Sequence, residues 1–188
     1  RMARVAAQGA MLSLVEETIL GYGPTAYYTL GEESGATQAG DESGLGADPL
    51  VRRGSGTNPE FGNATGVGTD GLTAVQFTAG GKALGDAASG SLASGATICF
   101  FYNSAGGHSS TVVQAYGISF NNNGCTADST NRTGGPAVGA TSIDDDATHH
   151  VGIRWTGSNL RVLVDGVFVG STATTSGDLV IQTTLANA

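Results

Sequence analysis

The clearest alternation of apolar and polar positions runs from Thr148 to Gly170. Val151, Ile153 and Trp155 alternate with His150, Gly152 and Arg154, a period of two that puts the apolar set on one face of a β-strand. Thr156-Gly157-Ser158-Asn159 interrupts the pattern as a polar turn, and Leu160, Val162 and Val164 resume it. Asp165-Gly166 then supplies positive φ at both centres of a type I′ hairpin, and Val167, Phe168 and Val169 continue beyond it. The pattern predicts a three-stranded antiparallel meander.

Elsewhere the apolar runs are shorter. Leu12, Val15 and Ile19 form one stripe at helical spacing, which predicts a helix over Ala10 to Leu20 with Gly21 as its stop and Pro24 barring its resumption. Thr25 to Leu30 reads as the first strand, Pro49 to Arg53 as a short edge strand and Leu72 to Thr78 as a third. A further short strand is expected around Lys82 to Leu84. Ala96 to Asn103 is apolar almost throughout, the mark of a central strand. Ser110 to Tyr116 and Gly117 to Asn121 read as a pair around Gly117. Ala137 to Ser142 is a candidate strand, and Leu179 to Thr184 is the last. Residues 31–48, 54–71, 80–95 and 122–136 read as loop.

Composition agrees with this outline. A chain of 188 residues is most simply one domain, and 31 glycines with only 13% charged residues favour a β-sandwich over a helical bundle. The net charge of −8 disfavours nucleic acid and an anionic membrane surface as partners. No apolar run is long enough to span a membrane. The basic-then-apolar start is broken by Gln8, Gly9 and Ser13 and runs into Glu16-Glu17, so it is not read as a signal peptide. Cys99 in an apolar strand and Cys125 in a polar turn leave two readings open, a disulfide or a buried free Cys99 beside an unrelated Cys125, with the second preferred.

Candidate chemistry is sparse. The carboxylates cluster in loops, and no strand carries the alternating acidic pair that a glycosidase on this architecture needs. Asp144, Asp145 and Asp146 are the candidate metal ligands, for calcium, with Asp41 or Asp128 as companions. They lack the spacing of an EF-hand loop. His149 and His150 are neighbours and face opposite sides of a strand, which suits structural roles better than zinc. No G-x-S-x-G nucleophile elbow occurs. Gly66 to Gly71 fits G-x-G-x-x-G without the strand-to-helix setting that a dinucleotide site requires. One of Tyr27 and Tyr28, and one of Phe100 and Phe101, is expected to point outward.

Several segments together resemble the laminin G-like, concanavalin A-like jelly-roll family. Thr148-His149-His150-Val151-Gly152 and Leu163-Val164-Asp165-Gly166-Val167 resemble its W-H-H-V-A and Y-V-D-G strands. Pro24 to Gly35 is similar to its P-x-A-Y-x-x-L-x-E-x-S-G pattern, with Asp41-Glu42-Ser43-Gly44 following as the Asp-x-Ser-Gly turn. Ala74 to Phe77 and Thr97 to Tyr102 resemble two further strands. Thr148 stands where the family has Trp, and the family's closing G-x-I-D-E-V-x-I-Y strand is absent after Leu185. The roll is therefore expected to be completed differently, by the N-terminal segment or a neighbouring subunit, or the chain is truncated.

The resemblance implies an all-β, two-sheet antiparallel jelly-roll sandwich. Residues 1–23 form an N-terminal arm and short helix, and residues 24–188 the jelly-roll domain. A helix leading into such a domain is similar to tailed-phage virion proteins. The implied function is a non-enzymatic virion-surface structural or adhesion protein, such as a capsid decoration, fibre or tail component. Its partners are other virion proteins or copies of itself in a homo-oligomer, and host-surface glycan. The resemblance implies no cofactor; calcium is a candidate only from the run Asp144 to Asp146. The alternative is a secreted, extracellular bacterial carbohydrate-binding module.

Overall fold

The structure, a computed structural model, describes residues 17–63, 73–77, 83–85, 90–92, 97–103, 111–115, 118–121, 126–129, 143, 145–173, 179–181 and 184–185. Among them the chain is β-rich, and every strand pairing is antiparallel. In chain order the strands are β1 (Gln38–Ala39), β2 (Leu50–Arg53), β3 (Glu60–Asn63), β4 (Ala74–Gln76), β5 (Ala83–Gly85), β6 (Gly90–Leu92), β7 (Thr97–Asn103), β8 (Thr111–Ala115), β9 (Ile118–Asn121) and β10 (Thr126–Ser129). They continue with β11 (Thr148–Trp155), β12 (Asn159–Val164), β13 (Val167–Ala173), β14 (Leu179–Ile181) and β15 (Thr184–Leu185).

The predicted meander is present as β11, β12 and β13, which with β7 form a four-stranded sheet in the order β13-β12-β11-β7. Trp155 pairs with Leu160 and Val151 with Val164, so the apolar sets of β11 and β12 share one face. The second turn has φ of 51° at Asp165 and 78° at Gly166, the left-handed pair that a type I′ hairpin demands. A bulge between Val162 and Leu163 shifts the register of β13. Val151, Ile153, Trp155, Leu160, Val162 and Ile143 are buried together, with Ile98, Phe100, Tyr102, Val164 and Val169 packed on them.

A seven-stranded sheet has the order β1-β2-β5-β15-β8-β9-β10. Two pairs, β14-β6 and β3-β4, stand apart from it. β10 lies close to β12, so the larger sheet meets the smaller there. Ala39, Leu50, Phe61 and Leu84 form a second buried cluster, covered by Tyr28, Leu30, Ala36, Val75 and Phe77.

Several expectations are corrected. Thr25 to Leu30 is not a strand: it is irregular, and Leu30 has φ of 57°. Tertiary hydrogen bonds hold it instead, from Tyr27 N to Asp41 Oδ1 at 2.9 Å, from Glu42 N to Tyr27 O at 2.7 Å and from the Tyr28 hydroxyl to Asp48 O at 2.8 Å. β2 is an inner strand between β1 and β5, not an edge. β7 is the reverse, an edge of its sheet among the described residues. β1, β3, β6 and β10 fall in segments expected to be loop, and the expected last strand divides into β14 and β15 in different sheets. The described part of the helix, residues 17–21, includes Gly21. Beyond it Gly23, with φ of 62°, closes the turn by donating its N–H to Leu20 O at 2.9 Å. Ala137 to Ser142, Asp144, Cys125 and residues 66–71 lie outside the described residues.

Candidate functional site

Asp41, Asp145 and Asp165 hold loops in place. Asp41 sits in the loop between β1 and β2, where its Oδ1 accepts from Tyr27 N at 2.9 Å and Ser43 N at 3.1 Å. Its Oδ2 accepts from Ser43 Oγ at 2.7 Å and Ala47 N at 3.0 Å. Slight burial raises the pKa of this carboxyl, but the bonds from Ser43, Tyr27 and Ala47 outweigh it and hold the group below its ordinary value. Four donors occupy this carboxylate's acceptor sites, which fits a loop organiser rather than a cation ligand.

His149 is clamped. Its Nδ1 lies 2.8 Å from Asp165 Oδ2 and its Nε2 lies 3.0 Å from Asp145 Oδ1. A neutral imidazole has one N–H, whereas contact with two carboxylates calls for two, so the imidazolium is favoured. The bond to Asp165 raises the His149 pKa most; partial burial opposes this, and Asp145 adds to the rise. The bond from His149, followed by backbone N–H donors, holds Asp145 and Asp165 low. Asp165 Oδ1 also accepts from His150 N at 2.8 Å, and Asp145 Oδ1 from Ala147 N at 3.0 Å. The clamp thus ties the acidic loop before β11 to the turn after β12.

The two carboxylates stand on opposite sides of the ring, and Asp146 contributes its carbonyl to Asn103 Nδ2 at 3.2 Å. Among the described residues, no three His, Cys, Asp or Glu side chains are grouped to hold a metal ion. Asp128 lies on β10, in the seven-stranded sheet. A shallow cleft of about 580 Å³ beside β3 is lined by Arg52, Thr57, Asn58, Glu60 and Asn63 among others. Arg52 already donates through Nη2 to Ala36 O at 2.7 Å. Gly62 is needed at the cleft wall, since its φ is 74° and a Cβ there would lie 2.5 Å from Ser34 N.

The outer face of the four-stranded sheet is unlike the rest. Its first row across the strands is Thr97, Arg154, Arg161 and Ser171, all exposed. Its second row is Cys99, Gly152, Leu163 and Phe168. Phe101 and His150 stand opposite each other in the third, with ring centroids 5.1 Å apart. Phe101 is 63% exposed and Phe168 57%. Gly152 leaves a side-chain gap between the Cys99 sulfur and Leu163, each 3.8 Å from where a Cβ would stand. Cys99 is free and exposed rather than buried, although contact with the sheet desolvates its thiol enough to push its pKa up.

Phe101 is the outward member of the Phe100–Phe101 pair, as expected. Tyr27 and Tyr28 are both half-buried. The outer face itself escapes a reading by single strands. Arg154 opposite Arg161 was legible by counting outward from the Thr156–Asn159 turn, whereas Phe101 opposite His150 depends on a pairing between distant segments. No protein family, curated protein or solved structure matches this chain.

Proposed function

We propose that this is a non-enzymatic virion-surface structural or adhesion protein built on a two-sheet jelly roll, a capsid decoration, fibre or tail component. It attaches through its N-terminal arm to other virion proteins or to copies of itself, and one sheet face is free to meet host glycan. The observation that carries the reading is that outer face, a broad β surface with two large aromatics turned to solvent. An exposed apolar surface of this kind marks contact with a partner, and aromatic rings suit the apolar faces of sugars. The Asp41 and His149 constellations support it from the other side, because their polar atoms are committed to holding loops. The resemblance of Pro24 to Gly35 and of the meander to jelly-roll domains of tailed-phage virions supplies the setting.

The same face also favours the second reading, a secreted bacterial carbohydrate-binding module. Immunogold labelling with antibody to this chain separates the two. Gold on the surface of virus particles is the expected result. Gold confined to a particle-free secreted fraction would replace the first reading with the second. Glycan hydrolysis abolished by one Asp or Glu substitution would overturn both.

A further inference from the structure

Arg154 and Arg161 are two of only eight basic residues in a chain of net charge −8, yet they stand directly opposite each other on neighbouring strands. Like charges in that position destabilise a sheet pair. No described carboxylate pairs with either, and both are exposed. Thr97 and Ser171 extend their row with hydroxyls. Along β11, about 13 Å from Arg154 at the usual rise per residue, His150 and Phe101 form an aromatic shelf, with Gly152 as the low floor between. The face therefore reads, end to end, as paired guanidinium groups, a shallow trough and exposed rings.

We propose that this outer face binds an acidic saccharide chain, its acid group held by Arg154 and Arg161 and its sugar rings laid over Phe101, His150 and Phe168. The inference rests on the glycan-contacting part of the function proposed above. Guanidinium groups present planar forks of N–H donors that match an acid group. The floor of the trough, Gly152 and Leu163, lies on the inner strands β11 and β12, where backbone groups are already paired, so an extended peptide laid along it finds no strand edge to join. Sugar rings need no such edge. The acidic remainder of the chain does not cancel the site, because at physiological salt charges beyond about 8 Å are largely screened. Asp145 and Asp165 lie at the far end, where His149 already engages them.

The test is an array of uronate-, sialate- and sulfate-bearing glycans with neutral counterparts, probed with the full chain. Binding to at least one acidic class, weakened by added salt and absent from the neutral counterparts, is expected. The double variant R154A/R161A should lose at least about tenfold in affinity, with a thermal midpoint unchanged or raised because a like-charge pair is gone. The R154K/R161K variant should fall between, keeping the charge but not the fork. No acidic glycan bound, equal binding by the double alanine variant, or equally tight binding of polyglutamate would overturn the proposal. Particles labelled by the antibody but silent on the array would remove this site and leave the virion assignment standing. An array-positive protein absent from particles would do the opposite.

Discussion

At the scale of single residues, polar side chains here mostly hold backbone in place. Asp41 replaces regular secondary structure as the anchor of the first loop, since Tyr27, Ser43 and Ala47 all direct N–H groups at it. Asp41→Ala strands those donors and is expected to cost about 2 kcal/mol in urea unfolding. A loss below about 0.5 kcal/mol would show that water replaces the carboxylate. The His149 clamp has a pH signature. Its folded pKa is above 6.5, so its contribution is complete below 6.5 and fades as pH rises through the higher folded value. Asp145 and Asp165 are held below 3.8, so their contribution is complete above 3.8 and fades as pH falls through the lower values. The destabilisation caused by His149→Ala should therefore be greatest at about pH 5 and shrink toward pH 9. A flat difference across that range would mean that the imidazole acts by packing alone.

At the scale of elements, the meander was legible because its information is local. Alternation set the faces, the polar turn set the register, and Asp165-Gly166 announced its hairpin. The strands that local pattern does not predict, β1, β3, β6 and β10, are two to four residues long, the last three rich in Gly, Ser or Asp, and their partners and not their own propensity make them strands. β7 departs from its sequence pattern for a more informative reason. An apolar run predicts a strand covered on both faces, but Cys99 and Phe101 instead face outward on an edge strand. An apolar side chain left on the open face of an edge strand carries an aggregation risk, and the proposed glycan contact would cover it. Phe101→Ala should leave unfolding stability within about 0.5 kcal/mol while reducing glycan capture. Marked destabilisation would assign the ring to the fold.

At the scale of the whole molecule, the all-β class was evident from glycine content and short apolar runs, but the sheet order was not. The shortest strands illustrate why. β15, Thr184–Leu185, fills the inner position between β5 and β8. Two residues carry no pattern that predicts such a position, so only the tertiary pairing reveals it. Deleting residues 179–188 removes β14 and β15 and divides the larger sheet. The truncated chain is expected to lose its cooperative thermal transition by circular dichroism. An unchanged transition would show that the flanking strands hold without it. The most direct test of the proposed virion role is a cryo-electron microscopy reconstruction of virus particles labelled by antibody to this chain. The account predicts density for the domain on the outer surface, with Phe101, Arg154 and Arg161 turned to solvent. Absence of the chain from particles, or that face buried against the capsid, would contradict it.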